Sequence, residues 1–277
     1  MSDNYIHKNF YLQSPLAEDL YDSYAKELPL VDFHNHLNPA DLAANKKFRN
    51  LAEAWLIHDP YKHRAMRICG VPENRITGDA PEKEKFMNWA ATVPKTLGNP
   101  LFLWNALELK RVFGIDEFLS EKNAGRIWEQ CNSQLEQEGF GAVDILKKFG
   151  AEVLCTSDDL SDDLSVHEQA TAEQQIKVYP SLRGDSAINI EHPNFKNWLG
   201  KLETISAQSI KTFEEYKSAI GIQLDKFSEA GCRFADHSLD GNFQFTKPVE
   251  RDAAEIFKSL LNGNIPNEKE LTRYKNY

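Results

Sequence analysis

The sequence predicts an α/β protein, the N-terminal part of a (β/α)8 TIM-type barrel with about four strands and a helical insertion after the first. Three observations carry this. Four short apolar runs, rich in β-branched residues, each end in polar or charged residues. Helical stretches of crossover length separate the later runs, as parallel strands require. The first run, VDFHNHL (31–37), places two histidines near its C-terminal end, where an α/β barrel gathers its ligands.

Taken in order, Ser14-Pro15 reads as an N-cap with proline at the first helical position. Leu16, Leu20, Tyr24 and Leu28 then form an apolar stripe ending at Pro29. The first strand follows and stops at the turn signal Asn38-Pro39. Residues 50–148 are mostly helical and rich in aromatics, broken at Gly70-Val71-Pro72, Gly78, Pro94 and Gly98-Asn99-Pro100. The next strands are AEVLCT (151–156), IKVYP (176–180) and CRFA (232–235), with helices expected over 195–203 and 212–230. A closed barrel needs eight strands. The expectation is therefore a single, incomplete barrel domain over 1–277, with the insertion at about 50–148.

Composition narrows the function classes. The chain has 277 residues, 41% of them hydrophobic, and carries a net charge of −10. Its mean hydropathy is −0.54. No apolar run is long enough to span a bilayer, and the N-terminal MSDNYIHKNFYLQS lacks a basic region followed by an apolar one, so no secretion signal is read. The acidic balance disfavours nucleic acid and anionic membranes as partners, while local arginines still permit a small anionic substrate. Cys69, Cys131, Cys155 and Cys232 form no C-x-x-C pair, which fits buried thiols in a reduced cytoplasmic setting.

In a strand of period two, Asp32, His34 and His36 share one face. Two imidazoles one pleat apart can close on a single divalent cation, given further ligands from elsewhere. Set against this is the plainer role of surface or satisfied core histidines.

Several longer runs resemble the glucuronate (uronate) isomerase family of the amidohydrolase superfamily. They are VDFHNHL, AEAWLIHDPYKHRAMRICGV (52–71) and EKFMNWAATVPKTLGNPLFLWNALELKRVFGI (84–115), followed by CTSDD (155–159), YPSLRGDSAINIE (179–191) and GCRFADHSLD (231–240). They come in the family's order and cover essentially the whole chain. The resemblance implies interconversion of D-glucuronate with D-fructuronate and of D-galacturonate with D-tagaturonate. It implies His34 and His36 as ligands of a divalent metal, with zinc expected. Arg183 and Tyr61 would contact substrate, and Tyr61 and Asp236 would take catalytic parts. Expected partners are a small uronate and, in a homo-oligomer, a further copy of the chain.

The chemistry suits those assignments. Aldose–ketose isomerisation moves a proton from C2 to C1 through an enediol, and so needs a base, an acid or cation at the carbonyl oxygen, and an anchor for the carboxylate. Arg183 offers a planar fork for a carboxylate, although an ion pair with Asp185 is the plainer reading. For Asp236 the plain alternative is a structural cap, and for Tyr61 helix packing.

Two departures stand out. The family's D-H-Y becomes Asp59-Pro60-Tyr61 here, with His58 and His63 nearby in sequence. The later strands, which bring a further histidine and the aspartate that completes the metal site, are absent before Tyr277. The expectation is a chain inactive, or nearly so, unless a partner supplies the rest. The rival functions are a metal-dependent hydrolase of the same superfamily, a non-catalytic fragment, and an unrelated α/β binding protein. Against the hydrolase, the fourth strand ends Ala235-Asp236-His237, without the lysine that binuclear members carboxylate.

Overall fold

The computed structural model describes residues 6–238 and 243–277. The first five residues and the end of the GCRFADHSLD run lie outside them. In chain order the elements begin with α1 (Pro15–Leu20), β1 (Leu30–Asp32), α2 (Pro39–Ala43), α3 (Leu51–Trp55), α4 (Pro60–Ile68) and α5 (Glu82–Thr92). Next come α6 (Pro100–Phe113), α7 (Ala124–Leu135), α8 (Ala142–Lys148), β2 (Ala151–Asp159), α9 (Ser165–Gln174) and β3 (Lys177–Arg183). The chain closes with α10 (Asp185–Ile188), α11 (Phe195–Ser206), α12 (Phe213–Glu229), β4 (Ala235–Asp236), α13 (Glu250–Leu261) and α14 (Glu268–Lys275). They fall into two compact units, one of residues 1–29 and 45–150, the other of 30–44 and 151–277.

The first unit is helical. Its core holds Trp55, Phe86, Trp89, Leu109, Ile127 and Cys131, all buried, with the Phe86 and Trp128 ring centres 5.1 Å apart. Burial pushes the Cys131 thiol up to about 12, so it packs as a small apolar group. One device opens several helices, an N-cap side chain followed by proline. Asp59 Oδ1 accepts from the Tyr61 and Lys62 backbone N–H groups at 2.9 and 3.1 Å, with Pro60 between them. Asn99 and Pro100 do the same for α6, and Ser14 and Pro15 for α1. Proline at the first helical position loses an N–H that has no intrahelical partner anyway.

The expected stripe on the first helix takes a different form. The α-helix stops at Leu20 and passes into a π turn over Tyr21–Ala25, where the Lys26 N–H reaches the Tyr21 carbonyl. The wider turn breaks the 3.6-residue period, and Leu16, Leu20, Tyr24 and Leu28 are all exposed.

The second unit holds a parallel sheet in the order β1-β2-β3-β4. The sheet is consistent with part of a TIM-type barrel, with β1 to β3 within or overlapping their apolar runs but with shifted ends, and β4 (Ala235–Asp236) meeting the expected CRFA run only at Ala235. β2 continues to Asp159 and β3 to Arg183, because Ser157, Asp158 and Asp159 pair in register with Ser181, Leu182 and Arg183. β1 ends at Asp32, five residues before the expected end, although the Asn35 N–H still donates to the Cys155 carbonyl at 3.0 Å. The turn signal Asn38-Pro39 proves to be the N-cap and first residue of α2.

Helices α11 to α14 form the unit's main core around Trp198, Leu202, Phe213, Tyr216 and Phe257. α2 and α9 pack together beside the sheet. β1 and β4 are edge strands, and Leu30, Val31, Phe33 and Phe234 lie exposed along them. Such edges and apolar side chains are what a closed barrel covers.

Candidate active site

Past Asp32 the chain runs without regular structure to α2, and this stretch carries both histidines. The Asp32 carboxylate turns back on the chain. It accepts from the His34 N–H at 3.3 Å through Oδ1 and from the Asn35 side-chain amide at 3.2 Å through Oδ2. This Asx turn fixes the bend and commits Asp32 to the backbone instead of to a shared face with the imidazoles.

His34 and His36 are exposed, with ring centres 5.0 Å apart and planes at 84°. Two imidazoles on one tetrahedral cation, each at about 2.1 Å, hold their ring centres roughly 5 Å apart. The spacing of the pair is compatible with two corners of a metal shell. Among the described residues, no group of three His, Cys, Asp or Glu side chains could hold a metal ion.

Arg183 and Asp236 end neighbouring strands in register. Arg183 Nε donates to Asp185 Oδ2 at 2.7 Å, and its Nη1 lies 3.3 Å from Asp236 Oδ2. The expected Arg183–Asp185 ion pair thus exists, joined by a second carboxylate. The hydrogen bond to Asp185 raises the guanidinium's affinity for its proton. Burial works to raise the Asp185 carboxyl, but the Ser238 N–H and Arg183 together hold it below its ordinary value. Asp236 Oδ1 is buried and has no hydrogen-bond partner among the described residues.

Gly184 lies between this arginine and α10. A Cβ there would stand 2.5 Å from His237 Cε1, so the absence of a side chain is what lets the imidazole seat beside Asp236.

Tyr61 belongs to the other unit. It is 64% exposed in the first turn of α4, so it is not a packing residue. Pro60 is the first residue of that helix. His63 is buried and donates from Nε2 to the Leu56 carbonyl at 2.5 Å, while His58 is exposed.

Three buried side chains were not singled out from sequence. Thr156, Asp158 and His167 join the end of β2 to α9, with Thr156 Oγ1 2.7 Å from Asp158 Oδ2 and 2.9 Å from His167 Nε2. His167 sits in the helix SVHEQATAEQ, whose polar composition gives almost no apolar period and so little to read.

Comparisons with known proteins bear on this arrangement. The family model described as glucuronate isomerase matches residues 2–277. The uronate isomerase of Caldicellulosiruptor saccharolyticus is 43% identical over 275 residues, covering 99% of this chain and 59% of the relative. That of Bacillus subtilis is 41% identical over 275 residues, with 99% and 58% covered. The crystal structure of uronate isomerase from Thermotoga maritima superposes with a TM-score of 0.89 at 29% identity, over 98% of this chain and 59% of that one. Glucuronate isomerase from Caulobacter crescentus, at 21% identity and a TM-score of 0.87, shares the fold. The chain thus spans just under three-fifths of the length of the curated relatives it matches.

Proposed function

Because the chain belongs to the glucuronate isomerase family, we propose that it supplies the N-terminal half of a uronate isomerase site. The observation that carries this is the His34–His36 pair, 5.0 Å apart just beyond the end of β1, in a chain aligned nearly end to end with uronate isomerases. The substrates are D-glucuronate and D-galacturonate, opened to the aldehyde and returned as the 2-ketoses D-fructuronate and D-tagaturonate, with the C6 carboxylate unchanged.

His34 and His36 hold a divalent cation, zinc by their nitrogen donors, together with ligands from outside the described residues. When bound, the cation orients and polarises substrate oxygens. Arg183 receives the substrate carboxylate, for which its fork is suited once the substrate displaces Asp185 or Asp236 from it. Asp236, whose Oδ1 has no hydrogen-bond partner among the described residues, takes part in moving the proton between C2 and C1. Tyr61 donates to a sugar oxygen or relays that proton. Within the helical unit, the part from about 50 to 148 is an insertion in one barrel domain, between its first and second strands. The four cysteines are free, in keeping with a reduced cytoplasmic location. No helix among the described residues is long and apolar enough to cross a membrane.

Cobalt(II) titration followed by its visible absorption tests the ligand pair. The expected result is uptake that falls at least tenfold in His34→Ala and in His36→Ala. Uptake unchanged in both variants overturns the assignment.

A further inference from the structure

Two carboxylates share the Arg183 guanidinium, and they are held very differently. Asp185 uses both of its oxygens. Oδ2 accepts from Arg183 Nε at 2.7 Å, and Oδ1 accepts from the Ser238 backbone N–H at 2.7 Å. One side chain thereby ties the end of β3 to the residues that follow β4, with bonds of charge-assisted length. Asp236 Oδ2 stands 3.3 Å from Arg183 Nη1, an ion contact longer than such a bond, between side chains that are 29% and 33% exposed. A long, partly exposed ion pair contributes little and yields first.

The shape of the fork turns this difference into an order of events. A carboxylate bound through two parallel bonds needs either the Nε–Nη2 edge or the Nη1–Nη2 edge of a guanidinium. Asp185 holds Nε, which closes the first edge. On the second, Nη2 has no hydrogen bond or ion pair among the described residues, and Asp236 is the group at Nη1. An incoming carboxylate that takes this edge therefore meets Asp236 and leaves Asp185 in place.

We infer that the substrate carboxylate takes the place of Asp236 on Arg183, and not that of Asp185, so that Asp236 is released from its cation only when an anionic substrate is bound. Asp185 is then the positioning residue that sets the roll of the guanidinium. Built on the uronate reading of Arg183 and Asp236, this adds which carboxylate yields and what its release does. The consequence is specificity. A neutral aldose brings no charge to replace that of Asp236 and leaves the pair closed. A uronate opens it. The freed Asp236 carboxylate, beside a second anion and without its cation, then holds a proton more readily, which is what a group that takes a proton from carbon needs.

The test is NMR of the full chain at neutral pH, following the Arg183 Nε–H group by ¹⁵N and the Asp185 and Asp236 carboxyl carbons by ¹³C. The chain is titrated with D-glucuronate and, separately, with neutral D-glucose. The expected result is a saturable shift of the Asp236 carboxyl with glucuronate, while Arg183 Nε–H and the Asp185 carboxyl stay where they were and glucose moves none of them. In Asp236→Asn, which keeps the shape and removes the competing charge, the Kd for glucuronate falls about 2- to 5-fold. In Asp185→Asn, Nε–H loses its hydrogen-bonded position and begins to respond to glucuronate. Glucuronate moving Nε–H and Asp185 in the unaltered chain while Asp236 stays still overturns the inference and leaves the uronate reading standing. So does a Kd that Asp236→Asn leaves unchanged or raises. Glucose moving Asp236 as far as glucuronate does overturns the charge requirement. Glucuronate that moves none of the three groups overturns the inference together with the uronate reading of Arg183.

Discussion

The rings of Phe33 and Phe234 lie 6.4 Å apart, although one follows β1 and the other precedes β4, the two opposite edges of the sheet. A flat four-stranded sheet would hold those edges about 14 Å apart at the backbone. The contact marks the curl that makes this sheet part of a barrel, and both rings remain more than half exposed. A double-mutant cycle with Phe33→Ala and Phe234→Ala should give a coupling of about 0.5–1 kcal/mol by urea unfolding. Additive variants would mean the curl is held by the backbone ladder alone.

The close seat of His237 on Gly184 makes that glycine a second point of control. Gly184→Ala should lower stability by less than about 1 kcal/mol, because the new methyl displaces the exposed His237 imidazole, which can turn into solvent. Gly200, inside α11 with nothing within 4 Å of an added Cβ, is the contrast. Gly200→Ala should raise stability by about 0.5–1 kcal/mol. Chemical denaturation of both variants checks the pair, and equal effects would contradict it.

Much of this architecture is legible in the sequence, for reasons visible in particular residues. Leu154, Val178 and their neighbours are buried in a parallel sheet, so β2 and β3 read as continuous apolar runs. Strand ends are harder to read, since Ser157, Asp158 and Asp159 look like loop residues yet keep pairing as far as Arg183. β1 fails in the opposite direction. Asp32 captures the His34 N–H and ends the strand inside an apparently extended run. The histidine pair was visible as a spacing, whereas the Thr156–Asp158–His167 network joins residues whose meeting depends on how α9 packs.

That network is the most stability-sensitive polar feature at the end of β2. Thr156→Val keeps the shape but leaves Asp158 and His167 each one partner short. It should cost about 1–3 kcal/mol in urea unfolding. A neutral result would mean water replaces the hydroxyl.

Acid should weaken the Arg183–Asp185 arrangement. Asp185 has a folded-state pKa below its unfolded one, so its contribution is present above about pH 4 and is lost as pH falls through the folded value. The pair is partly exposed, which keeps the effect under about 1 kcal/mol. Asp185→Asn should therefore be less stable than wild type at pH 6, with the gap narrowing as the pH falls below about 4. A gap that widens on acidification would reverse the sign.

Pro60, the first residue of α4, should matter little to folding. Pro60→His restores an N–H that the first helical position leaves unpaired, and should change stability by less than about 1 kcal/mol. A larger loss, read from the thermal midpoint, would show that the proline itself sets the start of α4.

The most direct measurement is turnover of D-glucuronate by this chain, alone and after co-purification with the remaining C-terminal segment of the Bacillus subtilis relative. Turnover by the chain alone sets the baseline. The assembled pair should isomerise the sugar and lose that activity in the His34→Ala/His36→Ala variant. A co-purified pair that is inactive, or one whose turnover survives loss of both imidazoles, would contradict the assignment of this half-site.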